Sequence, residues 1–346
     1  MRESVRRQPR WLAPDLVRGS ACAGWTCFGE FCLRHCGSAD FIGVGHAARL
    51  AGRSDRRLQD GKCRILTSGK LLLIILDGVP FANWRRLFGN LEGWVASGDA
   101  KVWKMRAVLP STSACCYASI HTGVPPQVHG ITGNDTIRRI DLPDIFSETS
   151  KAGGRTGAVA HSFWSEFFNR APFDPVRDLE YDEPQVSPIS HGRFHTMSGY
   201  NLINQMTPSD VDLFATLTML CERHTIDYGM LHTCTLDSMG HRYGHDCAEM
   251  DHACYAMDAM LAPFIQRWRA AGYEVIVTAD HGQSIRGHHG GAGGDQQDFA
   301  LYYFGAAHGP EPDIILDQLA LAPTALSLVG VKVPSSMKTP PFLTPV

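Results

Sequence analysis

Four stretches of this chain place carboxylates, imidazoles and glycines at spacings that suit a divalent cation: Asp77-Gly78, Asp237-Ser238-Met239-Gly240-His241, Asp280-His281-Gly282 and His288-His289-Gly290-Gly291. In the second, a carboxylate and an imidazole four residues apart can converge on one ion. In the third and fourth, glycine permits tight backbone geometry beside the ligand. Taken singly, each signal is weak, because Asp-Gly after an apolar run is commonly a plain turn and most of sixteen histidines are structural. Jointly they are stronger. Carboxylates crowded at one place repel, and divalent cations relieve that repulsion. Oxygen and nitrogen donors without cysteine suit zinc in a catalytic site with open positions, with manganese or iron as alternatives.

A hydroxyl nucleophile is available in Pro110-Ser111-Thr112-Ser113-Ala114-Cys115-Cys116-Tyr117. A helix is predicted over 114–121, closed by Thr122-Gly123, with Ser113 at its N-cap. Free N–H groups and the helix dipole there favour a negatively charged phosphoryl group. Cys115 and Cys116 are competing nucleophiles, but they fall inside the predicted helix without a suitably spaced base, and packing is the better reading.

Positioning these groups requires strands that end where the ligands begin. Leu71-Leu72-Leu73-Ile74-Ile75-Leu76 is a continuous apolar run stopped by Asp77, as for a parallel strand buried on both faces. Similar runs occupy 157–161, 228–235, 273–279 and 300–304, with helices predicted between them. Residues 247–271 carry Met250, Cys254, Met257, Leu261, Phe264 and Trp268 at steps of four and three, one apolar helical stripe. Alternating strands and helices predict a three-layer α/β/α sandwich with a mostly parallel central sheet. Ligands in such sheets gather outside the carboxyl ends of the strands, where Asp77, Asp237 and Asp280 all fall. Residues 181–204, rich in Pro, Ser, Gly and His, are expected to form a small cap or loop over the site.

The chain has 346 residues with 44% hydrophobic, enough for a substantial core, and the net charge of -3 gives no reason to expect nucleic acid or an anionic membrane as partner. Residues 1–67 differ, with twelve Lys/Arg against six Asp/Glu, and they lack sustained periodicity. They are expected to be a poorly ordered basic extension, with the catalytic domain at 68–346. Deleting residues 1–60 is expected to leave activity and melting temperature largely intact. Cys22, Cys27, Cys32 and Cys36 lack the paired spacing of two typical of metal-binding cysteines. Eleven cysteines in a chain of this length fit free thiols, and no stretch reads as a signal peptide or membrane span, so a cytoplasmic location is expected.

From Lys70 onward these segments, in order, resemble the alkaline phosphatase superfamily, in particular its nucleotide pyrophosphatase/phosphodiesterase branch. The resemblance is carried by Ile75-Leu76-Asp77-Gly78, by Pro110 to Ser113, and by Thr122-Gly123-Val124-Pro125-Pro126-Gln127-Val128-His129-Gly130-Ile131 with Asn134 beyond. It continues through Asp237/His241, Asp280-His281-Gly282, His289-Gly290 and the terminal Ala322–Val331 and Pro334–Met337 stretches. It implies an alkaline-phosphatase-like fold and two ions. One would be held by Asp77, Asp280, His281 and the Ser113 oxygen, the other by Asp237, His241 and His289. His288 is the rival, but the Gly-x-His-Gly register selects His289. The resemblance further implies attack by Ser113 on phosphorus through a phosphoseryl intermediate, with Asn134 donating to a non-bridging oxygen.

That branch commonly has threonine where this chain has Ser113, and Thr112 is the fallback. The implied substrate is a small phosphodiester, pyrophosphate or nucleotide, since one Asn and no evident arginine clamp suit a single negative charge. Arg138 and Arg139 complicate that inference by offering to reach a distal charge. Phosphonoacetate-hydrolase-like or phosphomonoesterase activity is the alternative, although lysines to hold a substrate carboxylate are missing between Gly123 and Phe146. A sulfatase would need Cys115 or Cys116 as the oxidised nucleophile in a Cys-x-Pro-x-Arg pattern that is lacking. A metal-binding scaffold without catalysis is the reading from another class.

Overall fold

The structure, a computed structural model, describes residues 69–184, 186–197 and 207–346. The extension expected at 1–67, with its four cysteines, therefore lies outside the described residues. Nine strands form one sheet: β1 (Leu71–Leu76), β2 (Lys101–Arg106), β3 (Thr156–His161), β4 (Glu180–Asp182), β5 (His191–His195), β6 (Tyr228–Thr233), β7 (Glu274–Thr278), β8 (Asp298–Phe304) and β9 (Ile315–Asp317). Their order is β4-β5-β3-β6-β1-β7-β8-β2-β9. Most neighbours run parallel; β8 is antiparallel to both β7 and β2, and β4 to β5. The mostly parallel α/β architecture expected from the alternation is the one found.

β1 is fully buried along its length because it lies between β6 and β7, with helices on both faces, so every position can be apolar. Its apolar run is thus explained by its central place. Helix Ala248–Ala270 packs with Met250, Cys254, Met257, Leu261 and Trp268 buried, the predicted stripe. β2 has no counterpart among the predicted strands, since Lys101, Lys104 and Arg106 interrupt its apolar residues near the sheet edge.

Two further departures concern the 181–204 stretch and the ends of the active helices. Residues 181–182 and 191–195, within the stretch expected as cap or loop, belong to the last two strands at one side of the main sheet, β4 and β5; the apolar contacts of Tyr181 and Phe194 supply their buried faces. Residues 198–204 lie outside the described residues. Helix Ser113–Thr122 begins one residue earlier than predicted, with Thr112 as N-cap in extended conformation, so Ser113 is the first helical residue rather than the cap. Gly123 closes the helix in the left-handed region, as expected.

Five adjacent parallel strands, β5, β3, β6, β1 and β7, bring their carboxyl ends to one edge. Asp77 follows β1, Asp280 follows β7, and helix Thr235–Tyr243 follows β6. Gly78 is required where β1 ends: its φ is 74°, and a Cβ there would lie 2.8 Å from the Asp237 carboxylate. Among the described residues, no helix is long and apolar enough to cross a membrane.

Candidate active site

Two clusters of ligand-type side chains stand side by side at that edge: Asp77, Asp280 and His281 in one, Asp237, His241 and His289 in the other. These are the six residues singled out by spacing and resemblance, divided between two groups as implied. Asp237 and His241 lie on helix Thr235–Tyr243 rather than on a turn, so their four-residue separation places both on one helical face, 3.4 Å apart. His288 is exposed and outside both groups.

Each carboxylate of the first group has one oxygen anchored and the other free. Asp77 Oδ2 accepts from the Tyr117 hydroxyl and from His232 Nε2 at 3.0 Å, while Oδ1 has no hydrogen-bond partner. Asp280 Oδ1 accepts from the Gly78 N–H at 3.2 Å, while its buried Oδ2 has none. Both free oxygens face His281 Nε2, at 3.4 and 3.2 Å, and His281 Nδ1 donates to the Gly282 carbonyl, directing the Nε2 lone pair toward them. Buried oxygens without donors are costly unless a cation completes them, so this donor set fits a divalent metal.

In the second group the imidazole is oriented in the same way. His241 Nδ1 donates to the Gly287 carbonyl at 2.7 Å, turning Nε2 toward His289 Nε2, 3.2 Å away. A tetrahedral ion with bonds near 2.0–2.1 Å separates its ligand atoms by about 3.3 Å, so the two imidazoles already stand at ligand spacing. Gln283 Nε2 donates to Asp237 Oδ1 at 3.0 Å. Gly240 leaves the space Gln283 needs, since a Cβ there would overlap its amide oxygen at 1.5 Å.

Burial alone would raise the Asp77 carboxyl, but the His232 hydrogen bond, the charges of His281 and His232 and the Tyr117 hydroxyl hold it well below the usual carboxylate range. Burial and the negative charge of Asp77 push both Asp280 and Asp237 well above that range. Burial lowers His281, and burial with the neighbouring His281 pushes His289 down to about 3, so neutral imidazoles are presented.

Ser113 Oγ lies 3.1 Å from His281 Nε2, at the mouth of the first cluster. Thr112, the fallback, turns its hydroxyl to Cys115 Sγ instead. Burial raises the Cys115 and Cys116 thiols, leaving them poor nucleophiles. Asn134 accepts from the Ala114 N–H through Oδ1 at 2.9 Å and lines the same cavity, leaving its amide N–H groups as donors. Arg138 and Arg139 are tied to main-chain carbonyls of His129, Arg139, Ile140 and Phe167, and neither lines the cavity. His129 of the His-Gly-Ile segment is structural, bonded to Ser119 Oγ and the Ile131 N–H.

Tyr117, His232 and Gln283 escape a reading by spacing. Tyr117 sits four residues after Ser113, one helical turn, and that periodicity is the one signal it offers. His232 is a buried imidazole near the end of a fully buried strand. Tyr117→Phe removes one donor from Asp77 Oδ2 and is expected to weaken metal affinity by about 10- to 100-fold, with turnover recovered at saturating metal; activity titrated against Zn2+ measures it.

The cavity, about 440 Å³, reaches from the two clusters to a far wall of His161 at the end of β3, Ser162 and Phe163 just beyond it, and Thr196 and Met197 after β5. Burial and the nearby His232 push His161 down to about 4. The folded state thus keeps His161 neutral while the unfolded chain takes up a proton below about pH 6.5. The stability it contributes is full above pH 6.5 and is lost as pH falls toward 4. His161→Asn is therefore expected to lose less stability than wild type across that window, by up to about 1.4 kcal/mol per pH unit, in denaturant melts.

The mostly parallel nine-stranded sheet with ligand clusters at its carboxyl edge has an alkaline-phosphatase-like fold. The family model described as type I phosphodiesterase / nucleotide pyrophosphatase matches residues 71–286, and the chain belongs to that family. It is similar to murine ectonucleotide pyrophosphatase/phosphodiesterase 5, with a TM-score of 0.59 at 12% identity, covering 80% of this chain and 100% of that one. Human GPI ethanolamine phosphate transferase 3, catalytic subunit, is 22% identical over 247 residues, 68% of this chain and 20% of the relative. Venom phosphodiesterase 2 of Crotalus adamanteus is 24% identical over 223 residues, 61% of this chain and 26% of the relative. The chain thus spans about a quarter or less of the length of these two relatives.

Proposed function

We propose that the protein hydrolyses phosphodiester or pyrophosphate bonds of small molecules, nucleotides among them, with Ser113 as nucleophile. The observation that carries this reading is the position of the Ser113 hydroxyl at a cluster with unpartnered buried Asp77 and Asp280 oxygens, next to a second cluster of ligand-type side chains. Asp77, Asp280, His281 and Ser113 would hold one divalent ion and Asp237, His241 and His289 the other, zinc being the best match to the donors. A pair bound there supplies Lewis-acid charge to the attacking and leaving oxygens.

The chain's own groups do the rest. Ser113 Oγ, fixed on the first turn of its helix, attacks phosphorus in line with the leaving oxygen, and the phosphoseryl ester is then cleaved by water. Asn134 donates to a non-bridging oxygen; Asn134→Ala is expected to lower kcat by roughly a hundred- to thousand-fold with a smaller change in KM, measured by steady-state kinetics. Tyr117, His232 and Gln283 hold Asp77 and Asp237 in place.

Among the described residues lining the cavity there is no lysine or arginine, which suits a singly charged diester better than a dianionic monoester or a phosphonoacetate carboxylate. An inactive form of the murine neighbour is solved in complex with AMP, which supports a nucleotide as one substrate class. Release of p-nitrophenol from a diester, a monoester and a phosphonate ester tests the assignment. Preference for the diester is expected; preference for the monoester overturns it, and bound metal without turnover on any of the three favours a scaffold.

A further inference from the structure

At the opposite end of the sheet edge, Asp182 on β4, His191 on β5 and His224 at the end of helix Asp210–His224 bring three ligand-type atoms together. His191 and His195 are the first and last residues of β5, and at about 3.3 Å per residue the strand carries His191 roughly 13 Å from the cavity wall. The cluster is therefore separate from the six residues of the active site.

We propose that Asp182, His191 and His224 form a second kind of metal site, a peripheral one for a zinc-like divalent cation that ties the helix end to the β4–β5 edge. His191 Nδ1 lies 2.7 Å and His224 Nε2 3.8 Å from the same oxygen, Asp182 Oδ1. Tetrahedral ligands stand about 3.3 Å apart, between these two distances, so small side-chain rotations suffice. The imidazole rings are stacked at 3.9 Å between centroids, which sets both on the same side of the carboxylate.

The surroundings orient the carboxylate as an outer shell does. Arg193 donates to both Asp182 oxygens, Nη2 to Oδ2 at 3.0 Å and Nη1 to Oδ1 at 3.2 Å, which holds the carboxylate plane with Oδ1 also beside the imidazoles, and Arg193 Nε pairs with Glu180 at 3.2 Å. Thr225, a β-branched residue at φ 51°, ends the helix immediately after His224, and the His224 carbonyl accepts from Arg155. Backbone held in that region is costly, and here it fixes the position of His224. The Asp182 side chain is 42% exposed and that of His224 27%, so an ion can enter from solvent.

The site is independent of the proposed hydrolysis, and the test compares zinc content between proteins rather than counting ions in one. The full chain, stripped with chelator and equilibrated with Zn2+, is assayed for zinc per chain by elemental mass spectrometry. His224→Ala and the shape-conserving Asp182→Asn are each expected to hold one zinc ion fewer than wild type, with diester hydrolysis unchanged. The same loss is expected when His224→Ala is added to His289→Ala, which perturbs only the active-site ligands. Equal zinc content in wild type and both single variants overturns the proposal.

Discussion

Ser113→Ala is expected to reduce turnover of a p-nitrophenyl diester by on the order of 10⁴-fold or more while zinc content and fold stay at wild-type values. The size of the effect follows from the chemistry assigned to one atom. The Ser113 hydroxyl stands 3.1 Å from His281 Nε2. Thr112 cannot replace it, because its own hydroxyl is turned to Cys115, and the buried Cys115 and Cys116 thiols are held protonated. Alanine at position 113 keeps the helix, whose C-terminus is fixed by Gly123 and whose first turn is buried, so a structural collapse is not the expected route to inactivity. Rapid-quench trapping of phosphoserine in wild type, absent in Ser113→Ala, provides the direct measurement. Activity retained in the variant would remove Ser113 from the mechanism.

Removing metal is expected to abolish activity reversibly and also to destabilise the fold. Asp77, Asp237 and Asp280 converge at one sheet edge, and without a cation their repulsion is compensated in part by His232, Tyr117, Gln283, the Gly78 N–H and the neighbouring imidazoles. Zinc at a hundredfold excess over Kd stabilises by about 2.7 kcal/mol per site, seen as a higher Tm. The sharper expectation concerns Asp237→Asn. In the metal-free protein this variant removes one of three crowded carboxylates and is expected to melt higher than metal-free wild type; with zinc present the order reverses and turnover is lost. Calorimetric melts of the four samples decide it. If Asp237→Asn melts lower in both states, the carboxylate contributes to the fold by means other than metal binding.

The two predictions depend on placements of different origin. Local pattern is enough to locate Asp77, because an apolar strand buried on both faces must end where a charge appears, and the same holds for Asp280 after β7. Helix Ala248–Ala270 is likewise visible as a stripe repeating at helical period. The helical setting of Asp237 and His241 is not visible, since a carboxylate and an imidazole four residues apart fit a turn or a helix equally. Strands β4 and β5 are hidden for a different reason: short strands rich in polar residues owe their pairing to the neighbour, here β3 and each other, and carry little periodicity of their own.

From its residues alone, this chain determined a mostly parallel α/β core, six metal-type ligands in order, a hydroxyl at a helix start and membership of a resembled family. Those are properties of short segments, in which period and residue type are set by local burial and hydrogen bonding. Tertiary structure decided which oxygen of each carboxylate is anchored and which is free. It also decided that Ser113 rather than Thr112 faces the ligands, and that Tyr117 on a helix, His232 on a strand and Gln283 on a loop support them from other parts of the chain. Those outcomes depend on register between β1, β6 and β7 and on close approach at Gly78 and Gly240, contacts between residues from some forty to more than two hundred positions apart, which no local pattern encodes.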